Sequence, residues 1–77
     1  MTLNEAIAAR INELLEKNNW SKYKLHIQSG LWESTISDIV NCRSKRVDIN
    51  AVHGIARAFD MDIIEFFNSP LFENLLD

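Results

Sequence analysis

The chain has few of the residues that build turns, disulfide staples and sheets. Among its 77 residues are two glycines, one proline and one cysteine. Scarce glycine and proline argue against a turn-rich β protein and favour helices. The single Cys42 cannot form an internal disulfide, which suits a reducing compartment. A chain of this length predicts one domain, which buries only about 60% of the surface that its unfolded form exposes.

Long hydrophobic runs and clustered chemical groups are also missing. No stretch approaches the roughly 18 apolar residues of a membrane span, and the N-terminus lacks the basic and then apolar order of a signal peptide. We therefore expect a soluble, cytoplasmic protein without a membrane partner. Cys42 has no paired histidine and carboxylate, and the spacing of His26, Cys42 and His53 fits no standard zinc site. The sequence predicts no enzyme, metal or cofactor, and it indicates no small-molecule effector.

Charge is distributed unevenly along the chain. The net charge of −3 argues at first against a nucleic-acid partner. Residues 20–46, however, hold five basic side chains against two acidic ones, whereas residues 47–77 hold one against six. A local patch, more than the net charge, determines what a polyanion meets. The middle third of the chain is therefore a candidate surface for DNA.

Apolar spacing and capping residues predict five short helices. Thr2 and Glu5 form a capping box that opens a first helix over about residues 3–17, with an apolar stripe at Leu3, Ile7, Ile11, Leu14 and Leu15. Ser21 is a good cap for a second helix over about residues 22–28. A third helix spans residues 34–41. Asp48 caps a fourth with a stripe of Ile49, Val52, Ile55, Ala56 and Phe59, and Asp62 opens a fifth that ends near Asn68.

The second and third helices meet at a tight turn, Ser29-Gly30-Leu31. Helices that cross at close range need a residue free to adopt positive φ and interlocking apolar groups. Gly30 meets the first need, and Leu25, Leu31, Ile36 and Ile39 meet the second. This pattern is typical of a helix-turn-helix, whose second helix can enter a DNA major groove.

On these residues the sequence resembles the Cro and phage-repressor-like helix-turn-helix domains, the xenobiotic-response-element (XRE) family of bacterial regulators. The resemblance covers about Ile7 to Phe67. It implies an all-α, lambda-repressor-like bundle with a helix-turn-helix formed by helices two and three. It also implies a regulator, with repression favoured, that binds double-stranded operator DNA. The residues that carry it are Ser21, Lys22, Leu25, Ser29, Gly30, Leu31, Ser34, Thr35, Ile36, Ser37, Ile39, Asn41, residues 55–59 and residues 65–67.

The resemblance also implies roles for polar side chains around the third helix. Polar groups on a reading helix contact base edges, whereas basic groups beside it fix position on the phosphates. The implied base-reading residues are Glu33, Ser34 and Asp38, with Ser37 near enough to join them. The implied phosphate-binding residues are Ser21, Lys22, Asn41, Arg43, Lys45 and Arg46.

Several positions depart from the family pattern. His26 stands where alanine is common, which suggests a wider crossing or a ring at its edge. Trp32 replaces the usual cap of the third helix, and we expect a half-buried lid over the turn in preference to a DNA contact. Cys42 replaces a usual glycine. Because a left-handed conformation costs a non-glycine residue roughly 1–2 kcal/mol, we expect Asn41 to adopt it instead.

The acidic side chains of the third helix have two interpretations. A carboxylate in a phosphate-lined groove loses hydration and meets like charge. Either Glu33 or Asp38 accepts a hydrogen bond from a cytosine amino group, or their roles are local. In the local interpretation, Glu33 favours the positive end of the helix and Asp38 pairs with a basic side chain such as Arg43.

The C-terminal segment leaves two further questions open. Residues 1–68 form the predicted DNA-binding domain, and residues 69–77 form an apolar tail. The tail either folds back on the core or makes a two-fold contact through Leu71, Phe72, Leu75 and Leu76, which we favour. Such a homodimer would place two reading helices about 34 Å apart on a palindromic operator. The alternative function is a protein-interaction module, such as an antitoxin-like or anti-repressor subunit, that binds its partner through the acidic third or the tail.

Overall fold

The computed structural model describes residues 1–76, and all of its regular secondary structure is helical. Within these residues there is no strand, so the all-α prediction is confirmed. The helix boundaries lie within about two residues of those predicted, as expected where end signals are local. The elements are α1 (Leu3–Asn18), α2 (Lys22–Ser29), α3 (Glu33–Val40), α4 (Ile49–Ala58), α5 (Ile63–Phe67) and a final 3-10 turn (Pro70–Phe72).

Four of the five helices begin at a side-chain cap. The Thr2 hydroxyl accepts a hydrogen bond from the Glu5 N–H at 3.2 Å, and the Glu5 carboxylate accepts one from the Thr2 N–H at 2.8 Å. Ser21, Asp48 and Asp62 cap α2, α4 and α5 in the same sense. All four caps were predicted. Since each satisfies a backbone N–H that the helix leaves free, they explain why the helices begin where they do.

One continuous core joins the helices. α1 packs on α3, while α2 packs on both α3 and α4. Two members of the predicted apolar stripes lie outside this core: Leu3 is 40% exposed and Ile49 is 57% exposed. Each is the first residue of its helix, so its side chain extends beyond the end of the shared core. The largest fully buried side chains are Phe66, Ile11, Leu25, Ile36, Ile55 and Val52.

The tail folds back on the bundle, one of the two arrangements expected for it. The Phe72 ring lies 4.8 Å from the Phe67 ring and 6.2 Å from the Phe66 ring, measured between centroids. The Leu76 N–H donates to the Met1 carbonyl at 3.0 Å. The Leu76 side chain is nevertheless 79% exposed. The last residue of the predicted tail, Asp77, lies outside the described residues.

The described residues contain neither a membrane-spanning helix nor a metal-binding cluster. No helix in residues 1–76 is long and apolar enough to cross a membrane. No group of three or more histidine, cysteine, aspartate or glutamate side chains in that part of the chain is placed to hold a metal ion.

Candidate nucleic-acid interface

The turn between α2 and α3 has the geometry that the helix-turn-helix pattern predicts. Gly30 adopts φ +77°, and its N–H donates to the His26 carbonyl at 3.1 Å. Leu25 and Ile36, one from each helix, are fully buried, and Leu31 packs against the core. A positive φ at this point is readily adopted by glycine alone, so Gly30 allows the two helices to cross closely.

His26 is accommodated at the edge of the helix crossing. The residue is half-buried, and its Nδ1–H donates a hydrogen bond to the Leu31 carbonyl. Its ring also contacts the Tyr23 ring at 5.8 Å between centroids. The His26 side chain, bulkier than the common alanine, therefore connects α2 to the turn by a hydrogen bond, in agreement with the expectation of a ring at the edge of the crossing.

α3 has an apolar face and a polar face. Ile36, Ile39 and Val40 are buried. At about 100° per residue, the polar side chains that were predicted to read bases share an arc of about 140° on the opposite side. We call this arc the polar face of α3; it consists of Glu33, Ser34, Ser37 and Asp38.

The N-terminal end of the polar face is open. Trp32 is 77% exposed, so the expectation of a half-buried lid is wrong. Leu31 takes the inward position instead, and its Cδ1 lies 4.0 Å from the place that a Cβ on Gly54 of α4 would occupy. The next side chain along the extended backbone points outward. Trp32 provides no side-chain cap, as predicted. Among residues 1–76, the exposed side chains of Glu33 and Ser34 make no hydrogen bond or ion pair.

The C-terminal end of the polar face is cross-linked by hydrogen bonds. Arg43 Nε donates to Asp38 Oδ1 at 3.0 Å, and Arg43 Nη2 donates to Ser37 Oγ at 2.9 Å. Asn41 Nδ2 donates to the Ser37 carbonyl at 2.8 Å and to Ser37 Oγ at 3.2 Å. These four residues form what we call the Arg43 network. The pairing of Asp38 with Arg43, one of its two expected interpretations, is therefore present.

The backbone reverses after α3 at Cys42, one residue later than predicted. Cys42 adopts φ +56°, whereas Asn41 stays at φ −101°. The Cys42 N–H donates to the Ile39 carbonyl at 3.2 Å, and the Arg43 N–H donates to the Asp38 carbonyl at 2.8 Å. These two bonds define a Schellman motif. Asn41 remains close to helical, with its N–H donating to the Ser37 carbonyl at 3.0 Å and its side chain also bound to Ser37, and Cys42 adopts the left-handed conformation.

A residue that sequence reasoning missed fixes the basic loop that follows. Asn4 Nδ2 donates to the carbonyls of Ser44 and Lys45 at 3.2 and 3.1 Å. The Cys42 Sγ lies 3.9 Å from the Asn4 carbonyl oxygen. No local pattern could have identified Asn4, because its partners lie about 40 positions away. These contacts hold the loop against α1 while Lys45 and Arg46 stay exposed.

The remaining predicted phosphate-binding residues lie at the start of α2. Ser21 Oγ accepts the Lys24 N–H at 3.0 Å, so this hydroxyl acts as a helix cap, and Lys22 is exposed at the first helical position. Lys24 is engaged differently, because its Nζ lies 5.8 Å from the Trp20 ring centroid. The structure thus places basic groups at the N-terminus of α2 and just beyond α3.

Comparison with known proteins agrees with this geometry. A family model described as a Cro/C1-type HTH DNA-binding domain matches residues 10–69, which include all of α2 to α5. No curated protein and no solved structure matches the chain significantly. The matched family is one of DNA-binding regulators, not of enzymes. The chain belongs to the Cro/C1-type helix-turn-helix DNA-binding family.

Proposed function

We propose that this protein is a transcriptional repressor that binds a palindromic DNA operator as a homodimer in the cytoplasm. The observation that carries the proposal is the polar face of α3, which lies between two basic segments and whose side chains are exposed or half-buried. Such an arrangement suits a duplex, since basic groups neutralise phosphates while the polar groups between them contact base edges.

The proposed roles divide along these lines. Lys22, Lys45 and Arg46 supply affinity that depends on salt, because they are exposed cations at the ends of the helix-turn-helix. Ser21 and Asn41 contact the DNA phosphates beside these basic side chains. Glu33 and Ser34 supply sequence preference from the open end of α3. Ser37, Asp38 and Arg43 act together at the other end, because hydrogen bonds join their side chains.

A dimer contact through the tail uses its outer side chains. Phe72 packs within its own chain against Phe66 and Phe67, so it supports the tail from beneath. Leu76 is highly exposed, and Leu71 and Leu75 are half-buried. These three leucines give a second copy an apolar surface, and a two-fold arrangement would then place two α3 helices one DNA turn apart.

The alternative of a protein-interaction module has its own support. The last third of the chain is strongly acidic, and Ile64 on α5 is 77% exposed. An exposed apolar side chain in acidic surroundings suits a protein partner better than a polyanion.

A DNA titration separates the two functions. The protein is titrated into the DNA upstream of its own gene and into unrelated DNA of equal length, each at two salt concentrations. A repressor binds the upstream DNA tightly and the unrelated DNA weakly, and its affinity falls as salt rises. Absence of binding to either duplex would contradict the proposed function and favour the interaction module.

A further inference from the structure

The Arg43 network contains an unexpected pairing for a DNA-reading surface. Asp38 lies within the polar face of α3, where an unpaired carboxylate would repel the phosphates. Its partner Arg43 comes from the loop, yet its guanidinium lies against Asp38 and Ser37. We infer that Arg43 reads a guanine in the major groove, and that Asp38 and Ser37 are positioning residues that orient it. This inference rests on the proposed function.

The hydrogen bonds use only one edge of the guanidinium. Arginine carries five N–H donors in a planar fork. Nε and Nη2 donate along one edge, to Asp38 Oδ1 and Ser37 Oγ. Among residues 1–76, Nη1 has no hydrogen-bond partner, so the end of the fork keeps a parallel pair of N–H groups, one on Nη1 and one on Nη2. Guanine O6 and N7 accept such a pair.

The backbone also holds Arg43 in place. Its N–H donates to the Asp38 carbonyl through the Schellman motif, so the Cα of Arg43 is fixed beside the last turn of α3. Asn41 in turn holds Ser37, the second acceptor of the guanidinium. An arginine fixed in this way loses less conformational freedom on binding than a free one, which favours a specific contact over a general one.

Exposure and charge are consistent with a base contact. The Arg43 and Asp38 side chains are 58% and 47% exposed, so the pair is open to a duplex. Because the two charges cancel, the pair adds little to general attraction for phosphates, unlike Lys45 and Arg46. The carboxylate that seemed unsuited to a DNA surface is thereby explained as a support for the arginine.

The first experiment selects binding sites from a duplex library with a randomised central segment. Wild-type protein, Arg43→Ala, Arg43→Lys and Arg46→Ala are each used, and circular dichroism confirms that every variant is folded. We expect the wild type to enrich a G·C pair at one position of each half-site. Arg43→Ala loses that preference, Arg43→Lys weakens it because lysine lacks the fork, and Arg46→Ala keeps it.

The second experiment tests the guanine atom by atom. The selected duplex is compared with one that carries 7-deazaguanine at this position, which removes the N7 acceptor. We expect wild-type affinity to fall by up to the roughly 5- to 150-fold that a bidentate pair discriminates. Arg43→Ala should bind both duplexes equally. If Asp38 itself reads the paired cytosine, 7-deazaguanine has no effect and Arg43→Ala keeps the preference, which would overturn the assignment.

The positioning role of Asp38 has a separate readout. Asp38→Ala leaves Nε without its acceptor, so we expect the guanine preference to relax. Asp38→Asn restores an oxygen acceptor and should rescue it, an outcome that charge removal alone would not produce. Equal preference in wild type and Asp38→Ala would overturn this role. If the wild type enriches no sequence at all, the proposed function fails. If the wild type enriches a sequence with a guanine and Arg43→Ala keeps that guanine, only this inference fails.

Discussion

The two ends of α3 differ in how they present polar side chains. At the start, Trp32, Glu33 and Ser34 are exposed, and the helix has no side-chain cap. At the end, Ser37 and Asp38 are bound to Arg43, and a Schellman motif closes the helix. One end of the same helix is therefore open, whereas the other is already ordered by hydrogen bonds.

This difference bears on how affinity and specificity are divided. A side chain that becomes ordered on binding loses about 0.5–1.5 kcal/mol of conformational free energy, whereas one held beforehand loses less. We therefore expect the ordered end to discriminate more sharply between bases than the open end. Both ends depend on one support, because Ile36 lies between them and is fully buried.

The largest expected effect comes from removing that support. Ile36→Ala leaves a cavity between α3 and its neighbours, and we expect the free energy of unfolding to fall by about 2–5 kcal/mol. Ile27→Ala is the control, since Ile27 is 55% exposed on α2 and should change stability by less than about 0.5 kcal/mol. Urea denaturation followed by circular dichroism measures both. Similar losses in the two variants would contradict the buried role of Ile36.

The next effect separates affinity from sequence choice. Arg46→Ala removes an exposed cation from the basic loop, so we expect weaker binding to every duplex and a salt slope lower by about one unit. Ser34→Ala, at the open end of α3, should instead change which sequences are preferred. Fluorescence anisotropy with the selected duplex and single-base variants of it distinguishes the two. Equal effects of both changes on all sequences would contradict the division of roles.

Substitutions at the two turns that flank α3 should change the free energy of unfolding by smaller amounts and in opposite directions. Cys42 adopts φ +56° without glycine's freedom, so Cys42→Gly should raise the free energy of unfolding by up to about 1 kcal/mol. Gly30→Ala should lower it by about 1–2 kcal/mol, since Gly30 adopts φ +77°. Thermal denaturation measures both, and Cys42→Ala controls for loss of the thiol. Destabilisation by Cys42→Gly would show that the strain at this turn is negligible.

The smallest effect concerns the missing cap. Trp32→Ser places a hydroxyl at the N-cap of α3, and we expect the free energy of unfolding to rise by about 0.5–1 kcal/mol. Little packing is lost in exchange, because the indole is largely exposed. Trp32→Ala, which removes the ring without adding an acceptor, is the matched control. Chemical denaturation compares them. If both variants lose stability equally, the Trp32 ring packs in solution more than its exposure indicates.

Local signals were sufficient to predict most of the fold. Caps such as Thr2 and Asp48 act within three residues, and the apolar stripes follow the helical period, so helix positions could be predicted closely. Leu3 and Ile49 were misplaced because periodicity does not show where a bundle ends. Trp32 was misplaced because its exposure depends on Leu31 filling the space toward α4.

The site was less predictable because its key contacts are not periodic. Intrinsic preference predicts Asn41 as the left-handed residue, but Asn41 is bound to Ser37 through both its N–H and its side chain, and the reversal occurs at Cys42. Asn4 anchors the loop from about 40 positions away. The sequence predicts the Arg43 contact with Asp38 as one of two possibilities. Which N–H groups of the guanidinium make the contact could not be predicted, because that depends on where the backbone turns after α3.

An NMR titration of isotope-labelled protein with the selected duplex tests most directly whether α3 meets DNA through its polar face. We predict amide shift changes at the start of α2, along α3 and in residues 41–46, with little change in α5. We also predict that these shift changes shrink as the salt concentration rises, because salt weakens binding to the phosphates. Shift changes confined to α5 and the tail, or none on adding the duplex, would contradict this assignment.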